Sequence, residues 1–206
     1  MRDPYLWDDS SVLRNKLGIY TQELLDEAEA DYVVLRLREL ALDTLPGDYH
    51  TNHFLSMHQY IFQDIYDWAG TPRIIDIYKE EGVLGGMSIE YSDPFDIVTD
   101  LSYTLKEMRE KKWNDMDKEQ QSIEFCDSLA KIWKVHPFRE GNTRTVITFC
   151  CQFADEVGIS LDRKLFEDNS QYMRTALVAY NAYFRDGSDF SKKEYLEKIV
   201  RDAILC

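Results

Sequence analysis

Residues 136–144 concentrate the side chains of this chain that could carry out chemistry. They read His-Pro-Phe-Arg-Glu-Gly-Asn-Thr-Arg and lie between two apolar, helix-like segments. A histidine titrates near neutral pH and can accept a proton. A carboxylate is a hard oxygen ligand that suits magnesium, and an arginine can bind two phosphate oxygens at once. Together these side chains suit transfer of a group from a nucleotide to a hydroxyl.

The flanking segments predict how these side chains are positioned. Pro137 disfavours helix in the residues before it, so the helix predicted over 122–135 should end there. Gly141 and Asn142 then open the helical segment that continues over 145–157. The free N–H groups and the dipole at the start of a helix attract anions, so the sequence predicts a phosphate site beside a base.

The same string resembles the motif of the Fic-domain family, His-x-Phe-x-Asp/Glu-Gly-Asn-x-Arg-x-x-Arg. Residues 62–73 resemble the segment before the target-binding flap of that family. Residues 3–5 and 13–19 resemble the start of many bacterial Fic proteins. The motif positions that match in type and spacing are His136, Phe138, Glu140, Gly141, Asn142 and Arg144.

Two motif positions depart from the family pattern. Thr143 stands where the family often has glycine, and Ile147 stands where it usually has a second arginine. In the family that arginine holds the far phosphates of ATP. Its replacement by an apolar residue leaves the base, the metal ligand and the anion site in place.

The resemblance implies transfer of AMP from ATP to a Ser, Thr or Tyr hydroxyl of a protein target or of the chain itself. His136 would take the proton from the attacking hydroxyl, and Glu140 would hold Mg²⁺ against the phosphates. Backbone N–H groups around Gly141, Asn142 and Thr143 would cradle the phosphates. The β-phosphate would be bound by Arg144, whose alternative is a salt bridge across the core.

Two further sets of residues follow from the resemblance. The adenine would rest near Tyr180 and Asn181, although both also fit simple packing. Residues 74–92 alternate apolar and polar around a glycine-rich turn, which is typical of a β-hairpin. In the family this hairpin is a flap that pins the target by strand addition. Its first strand would comprise Ile75, Asp76, Ile77, Tyr78 and Lys79.

Other interpretations remain open at this point. A Fic-type enzyme that moves UMP, phosphocholine or phosphate is compatible with Ile147. The second alternative is a non-catalytic nucleotide-binding protein on the same scaffold, although the intact His136 and Glu140 argue against it. Those two side chains are too few for a closed zinc site. His50, His53 and His58 are expected to be ordinary helix residues.

The whole chain predicts one mostly helical domain over residues 1–206. Helices are expected over 21–42, 53–68, 94–110, 122–135, 145–157, 168–184 and 192–204. They divide into N-terminal helices (1–70), the flap (74–92), a catalytic core (94–185) and a C-terminal helix (190–206). With 44% hydrophobic residues, 206 residues can bury a sizeable core.

Charge and cysteine content restrict the partners and the compartment. A net charge of −14 disfavours nucleic acid and anionic membrane surfaces. No apolar run approaches the length of a membrane span. The four cysteines, Cys126, Cys150, Cys151 and Cys206, read as reduced thiols. A cytoplasmic protein whose partners are ATP and a protein target of unknown identity is expected.

The sequence also bears on regulation. Many Fic proteins are inhibited by a helix with the pattern Ser/Thr-x-x-x-Glu-Gly/Asn, whose glutamate pairs with the second arginine. No Ser or Thr of this chain has Glu four residues later, and Ile147 removes the arginine. Self-inhibition by that motif is therefore not expected. Constitutive activity, a separate inhibitor protein or homo-oligomerisation would replace it, and an altered blocking helix would lie within 23–38.

Overall fold

The computed structural model describes residues 3–205, and this part of the chain is mostly helical, as predicted. No extended strand occurs between these residues; two isolated bridges join Leu6 to Leu13 and Tyr183 to Asp189. The eight α-helices are α1 (Gln22–Leu42), α2 (Thr51–Phe62), α3 (Ile97–Glu110), α4 (Lys118–Val135), α5 (Asn142–Glu156), α6 (Arg163–Asp168), α7 (Ser170–Tyr180) and α8 (Glu194–Leu205).

Helix α4 is the centre of the fold, because α3, α5, α7 and α8 all pack against it. Phe125, Leu129 and Trp133 are buried on it accordingly. The helix begins four residues before the predicted start. Asp117 accepts a hydrogen bond from the Gln120 backbone N–H at 2.8 Å, and the Gln120 side chain accepts one from the Asp117 N–H. This capping box extends the helix into residues 118–121, which lie in the charged segment between the helices predicted over 94–110 and 122–135.

Two predicted helices are shorter than expected. Helix α2 ends at Phe62, whose carbonyl accepts hydrogen bonds from the N–H groups of Ile65 and Tyr66 in a turn. That turn buries both side chains, so periodicity alone did not reveal it. The helix predicted over 168–184 is α7, and the short helix α6 before it, capped by Asp162, was not predicted.

The β-hairpin predicted over 74–92 is not confirmed. Its two arms are extended and joined by a 3-10 turn, Gly82–Leu84. Within this described segment, cross-arm backbone bonds join only Glu81 with Gly86 and Met87, close to the turn. Burial nevertheless follows the predicted alternation from 74 to 80. In the second arm Ile89 and Tyr91 are buried, so each arm packs on the body and the arms do not form a ladder. We call residues 74–92 the flap.

The thiols of Cys126, Cys150 and Cys151 are free and buried, as expected of reduced core residues. Cys206 lies outside the described residues. Among the helices of residues 3–205, none combines the length and the apolar character that crossing a membrane requires.

Candidate active site

The loop between α4 and α5 carries the predicted chemistry and is closed on itself by Asn142. The Asn142 side chain accepts a hydrogen bond from the Phe138 N–H at 2.8 Å and donates one to the Phe138 carbonyl at 2.7 Å. Phe138 is fully buried and stacks on His58, with ring centroids 3.6 Å apart. Phe138 is therefore a packing residue that fixes the loop, as expected.

Gly141 precedes α5, and its position admits no side chain. Its φ is +82°, a conformation that L side chains rarely adopt. A Cβ there would lie 2.3 Å from the ring of Phe62. The chain therefore needs glycine here both for the turn and for the close approach to α2. The N–H groups of the next three residues head α5 without intrahelical acceptors, an arrangement that suits an anion.

His136 is a buried side chain whose polar atoms have no partner. It ends α4 in a left-handed conformation, with φ +49°. The ring stacks on Tyr91 at 4.0 Å, and neither ring nitrogen has a hydrogen-bond partner within the described residues. Burial, and then the charges of Lys79 and Arg73, hold the pKa of His136 well below its ordinary value. The imidazole is neutral at physiological pH and can accept a proton.

Glu140 is an anionic oxygen ligand beside the start of α5. Its Oε2 accepts from Lys79 Nζ at 3.1 Å, and its Oε1 accepts from the Gly141 N–H at 3.0 Å. Burial by itself raises the pKa of Glu140, but Lys79, the Gly141 N–H and Arg144 outweigh it and lower this pKa to about 2. The carboxylate is therefore ionised throughout the physiological range.

The donor set at Glu140 fits Mg²⁺ that shares its ligands with phosphates. Between residues 3 and 205 no group of three or more His, Cys, Asp or Glu side chains could hold a metal ion. Mg²⁺ commonly uses one or two carboxylates together with phosphate oxygens and water. A closed zinc site would require more protein ligands.

A cavity of about 210 Å³ brings the predicted residues together with a few that were not predicted. His136, Glu140, Gly141, Asn142, Thr143 and Arg144 all line it. It also includes Lys79 from the flap and three side chains of α7, which are Ser170, Gln171 and Arg174.

Thr143 and Arg144 each have a fixed partner. The Thr143 hydroxyl accepts a hydrogen bond from Trp133 Nε1 at 2.9 Å, which accommodates a side chain where the family often has glycine. The Arg144 guanidinium donates to Glu29 Oε1 at 2.5 Å. Glu29 lies on α1, inside the 23–38 segment, and also accepts from the Tyr66 hydroxyl. Arg144 therefore makes a salt bridge and lines the cavity at the same time.

The structure does not bring Tyr180 and Asn181 to this cavity. The Asn181 amide donates to the carbonyls of Ala130 at 3.1 Å and Leu177 at 3.0 Å, and is fully buried. Tyr180 is buried at the C-terminal end of α7. The α7 residues that line the cavity belong to the N-terminal end of that helix, and the placement of adenine near Tyr180 and Asn181 stays a prediction.

The flap residues divide by the direction of their side chains. Ile75 and Ile77 pack against the core, whereas Asp76 and Tyr78 are exposed. Lys79 enters the cavity and pairs with Glu140. The first arm thus presents alternate side chains to solvent, while its Ile75 carbonyl accepts from Arg73 and its Lys79 N–H donates to Ser88 Oγ at 3.1 Å.

Arg73 holds the flap against the loop between α4 and α5, which we call the catalytic loop. Sequence reasoning missed this role. Its buried guanidinium donates to the carbonyls of His136 at 2.9 Å, Ile75 at 2.7 Å and Ser92 at 2.5 Å. One side chain therefore fixes both ends of the flap and the residue that carries the base. Its place in the family-like segment 62–73 was the signal available in the sequence.

His58 positions Glu140 and was expected to be an ordinary helix residue. Its Nδ1 accepts from the Gly70 N–H at 2.8 Å, so Nε2 carries the hydrogen that is donated to the Glu140 carbonyl at 3.0 Å. Burial lowers the pKa of His58 to about 3, so the ring stays neutral. The spacing of residues within α2 does not reveal these two hydrogen bonds, because Gly70 and Glu140 are distant from His58 in the sequence.

The chain is thus a mostly helical domain in which a histidine, a carboxylate and an arginine surround the N-terminus of α5. Residues 48–154 match the family model described as the Fic/DOC family. The chain belongs to the Fic/DOC family.

Several relatives and structures are similar to this chain. Protein adenylyltransferase VbhT of Bartonella schoenbuchensis is 31% identical over 86% of this chain, which spans 36% of VbhT. Probable protein adenylyltransferase y4lH of Sinorhizobium fredii is 32% identical over 81% of this chain and 83% of its own length. The crystal structure of Bartonella tribocorum BepC with bound AMPPNP superposes with a TM-score of 0.79, at 19% identity, over 97% of this chain and 95% of that one.

Proposed function

We propose that this chain is a protein adenylyltransferase, which transfers AMP from ATP to a hydroxyl of a protein. The observation that carries the proposal is His136, a neutral and unpartnered base beside an anion site at the start of α5. Burial of a polar group without a partner is costly, so a substrate hydroxyl is the natural partner of this ring. The names of VbhT and y4lH support the same activity.

The reaction follows from the positions of these groups. His136 takes the proton of a Ser, Thr or Tyr hydroxyl as its oxygen bonds to the α-phosphorus of ATP. The bond from that phosphorus to the bridging oxygen breaks, and pyrophosphate leaves with the electron pair. The free N–H groups of Asn142, Thr143 and Arg144 bind phosphate oxygens, and the Arg144 guanidinium balances the charge on the leaving group. Rate acceleration comes from positioning and charge stabilisation.

Glu140 is the residue that would hold Mg²⁺, together with phosphate oxygens. When bound, the ion supplies positive charge against the phosphates. Lys79 donates to Oε2 of the same carboxylate, so its ammonium would neighbour an ion held by Glu140.

The flap is the surface that would receive the target. Its first arm, with Ile75, Asp76, Ile77, Tyr78 and Lys79, makes no backbone ladder with the second arm. A segment without a partner strand can accept a strand from a bound protein. A target strand bound there would lie along the arm that reaches Glu140 through Lys79.

Mass spectrometry tests the proposed activity. Purified protein is incubated with ATP and Mg²⁺, alone and with a cell lysate, and modified peptides are searched for added AMP. We expect AMP on hydroxyl side chains, its loss in EDTA and a strong decrease in Glu140→Ala. Parallel incubations with UTP and with CDP-choline test the alternatives that Ile147 leaves open. Exclusive modification by UMP or phosphocholine, or full activity in EDTA, contradicts the proposal.

A further inference from the structure

The cavity contains a cation that the sequence motif does not include. Arg174 lies one turn after Ser170 on α7, and both side chains line the cavity together with His136 and Glu140. Residues four apart on a helix share one face. Helix α7 therefore presents an arginine to the space beside the start of α5.

The other cations of the cavity are paired with acidic side chains. Lys79 is bound to Glu140 at 3.1 Å, and Arg144 is bound to Glu29 at 2.5 Å. Position 147, one turn after Arg144, carries an isoleucine that packs against the core. Helix α5 thus supplies one arginine for a triphosphate, and a further cation has to come from another element.

Arg174 is held in a fixed orientation by Glu81, the residue before the turn of the flap. Its two terminal nitrogens donate to the two carboxylate oxygens of Glu81 at 2.8 and 2.7 Å. The Glu81 side chain is 4% exposed, whereas that of Arg174 is 36% exposed. A guanidinium has five N–H donors, so this pair leaves one on each terminal nitrogen and the one on Nε. Arg174 lines the cavity, and these remaining donors can bind phosphate oxygens.

We propose that Arg174, oriented by Glu81, binds the terminal phosphates of the nucleotide. The start of α5 and Arg144 bind the phosphates nearer the reacting centre. Arg174 is thus the second arginine of the phosphate site, supplied by α7 in place of position 147. Because Glu81 belongs to the flap, the same pair links the flap to the bound triphosphate. This inference rests on the proposed function, since it requires a nucleotide in this cavity.

Calorimetric titration with AMP and with a non-hydrolysable ATP analogue, both with Mg²⁺, tests the role of Arg174. Arg174→Gln should raise the Kd of the ATP analogue about tenfold or more, the effect of a lost charge-assisted contact. The Kd of AMP should change less than about twofold, because AMP lacks the terminal phosphates. An unchanged Kd for the ATP analogue overturns the proposal.

Two further variants separate this role from a structural one. Arg201 lies on α8, does not line the cavity and pairs with Glu119 at 2.6 Å. Arg201→Gln should therefore leave both Kd values unchanged. The double variant Arg174→Gln/Glu81→Gln avoids leaving Glu81 buried and unpaired. It should also lose the preference for the ATP analogue over AMP, and retention of the wild-type preference contradicts the proposal. Wild-type protein that binds neither nucleotide contradicts the proposed function itself.

Discussion

At the scale of single residues, the site depends on backbone geometry as much as on reactive side chains. Gly141 lets the loop turn into α5 while the ring of Phe62 occupies the space of a side chain. Asn142 closes the loop through two bonds to Phe138. The start of α5 is therefore fixed before any nucleotide binds, which is the condition for effective charge stabilisation.

Substitution of Gly141 by alanine should impair both folding and transfer. The new Cβ meets Phe62 in addition to the backbone strain at φ +82°. Gly158→Ala is the matched control, because Gly158 also has a positive φ but nothing lies within 4 Å of its Cβ. The control should lose about 1–2 kcal/mol of stability from strain alone. Gly141→Ala should lose more and be inactive. Equal losses in urea unfolding would show that the Phe62 contact is unimportant.

The residues of the motif were predictable because they are adjacent in sequence. His136, Glu140 and Arg144 meet because one loop and one helix start carry all of them. Arg174, Arg73 and His58 were not predictable by the same reasoning. Each acts through tertiary contacts across many residues, as in the bond from Arg73 to the His136 carbonyl. The sequence likewise does not specify that the N-terminal end of α7, and not the end with Tyr180 and Asn181, lines the cavity.

At the scale of elements, the flap borders the cavity that the motif residues line. Arg73 ties its two ends to the catalytic loop, while Lys79 lines the cavity and Glu81 pairs with Arg174. The alternation of side chains was predicted correctly. The pairing of the arms was not, because Ile89 and Tyr91 pack on the body and leave the first arm without a partner strand.

A charge on the inner side of the first arm should impair recognition of the target more than binding of ATP. Ile77 packs against the core, so Ile77→Glu should displace the arm on which a target strand would add. Ile123→Glu is the matched control, because Ile123 is exposed on α4 at the end remote from the catalytic loop. Labelling of lysate proteins and calorimetric ATP affinity give the comparison. Unchanged labelling of lysate proteins by Ile77→Glu would show that the flap takes no part in target recognition.

At the scale of the whole molecule, α4 organises both the core and the site. Four helices surround it, and the residue that ends it is His136. The helical class and most of the helix ends were predictable from periodicity, Pro137 and Gly141. The start of α4 and the short helix α6 were not, because the caps at Asp117 and Asp162 lie in polar segments that resemble loops.

Three buried histidines, His53, His58 and His136, make the stability of the fold depend on pH, because burial lowers the pKa of each. The folded protein keeps His58, with a pKa of about 3, and His136 unprotonated, whereas the unfolded chain takes up protons below pH 6.5. Stability should therefore fall as pH decreases below 6.5, by about 1 kcal/mol per histidine per pH unit. Urea unfolding between pH 7.5 and 5.5 measures this. His58→Gln should be less stable at pH 7.5 but show a shallower decline, and an equally steep decline would assign the effect elsewhere.

The most direct test of the proposed mechanism is the rate of AMP transfer by His136→Ala, measured beside its affinity for ATP. The ring is the base and contacts no phosphate site, so transfer should fall by about 100-fold or more. ATP affinity should stay within a few fold of wild type in the same preparation, which shows that the cavity is intact. Transfer at a rate near that of the wild type would contradict the assignment of His136 as the catalytic base.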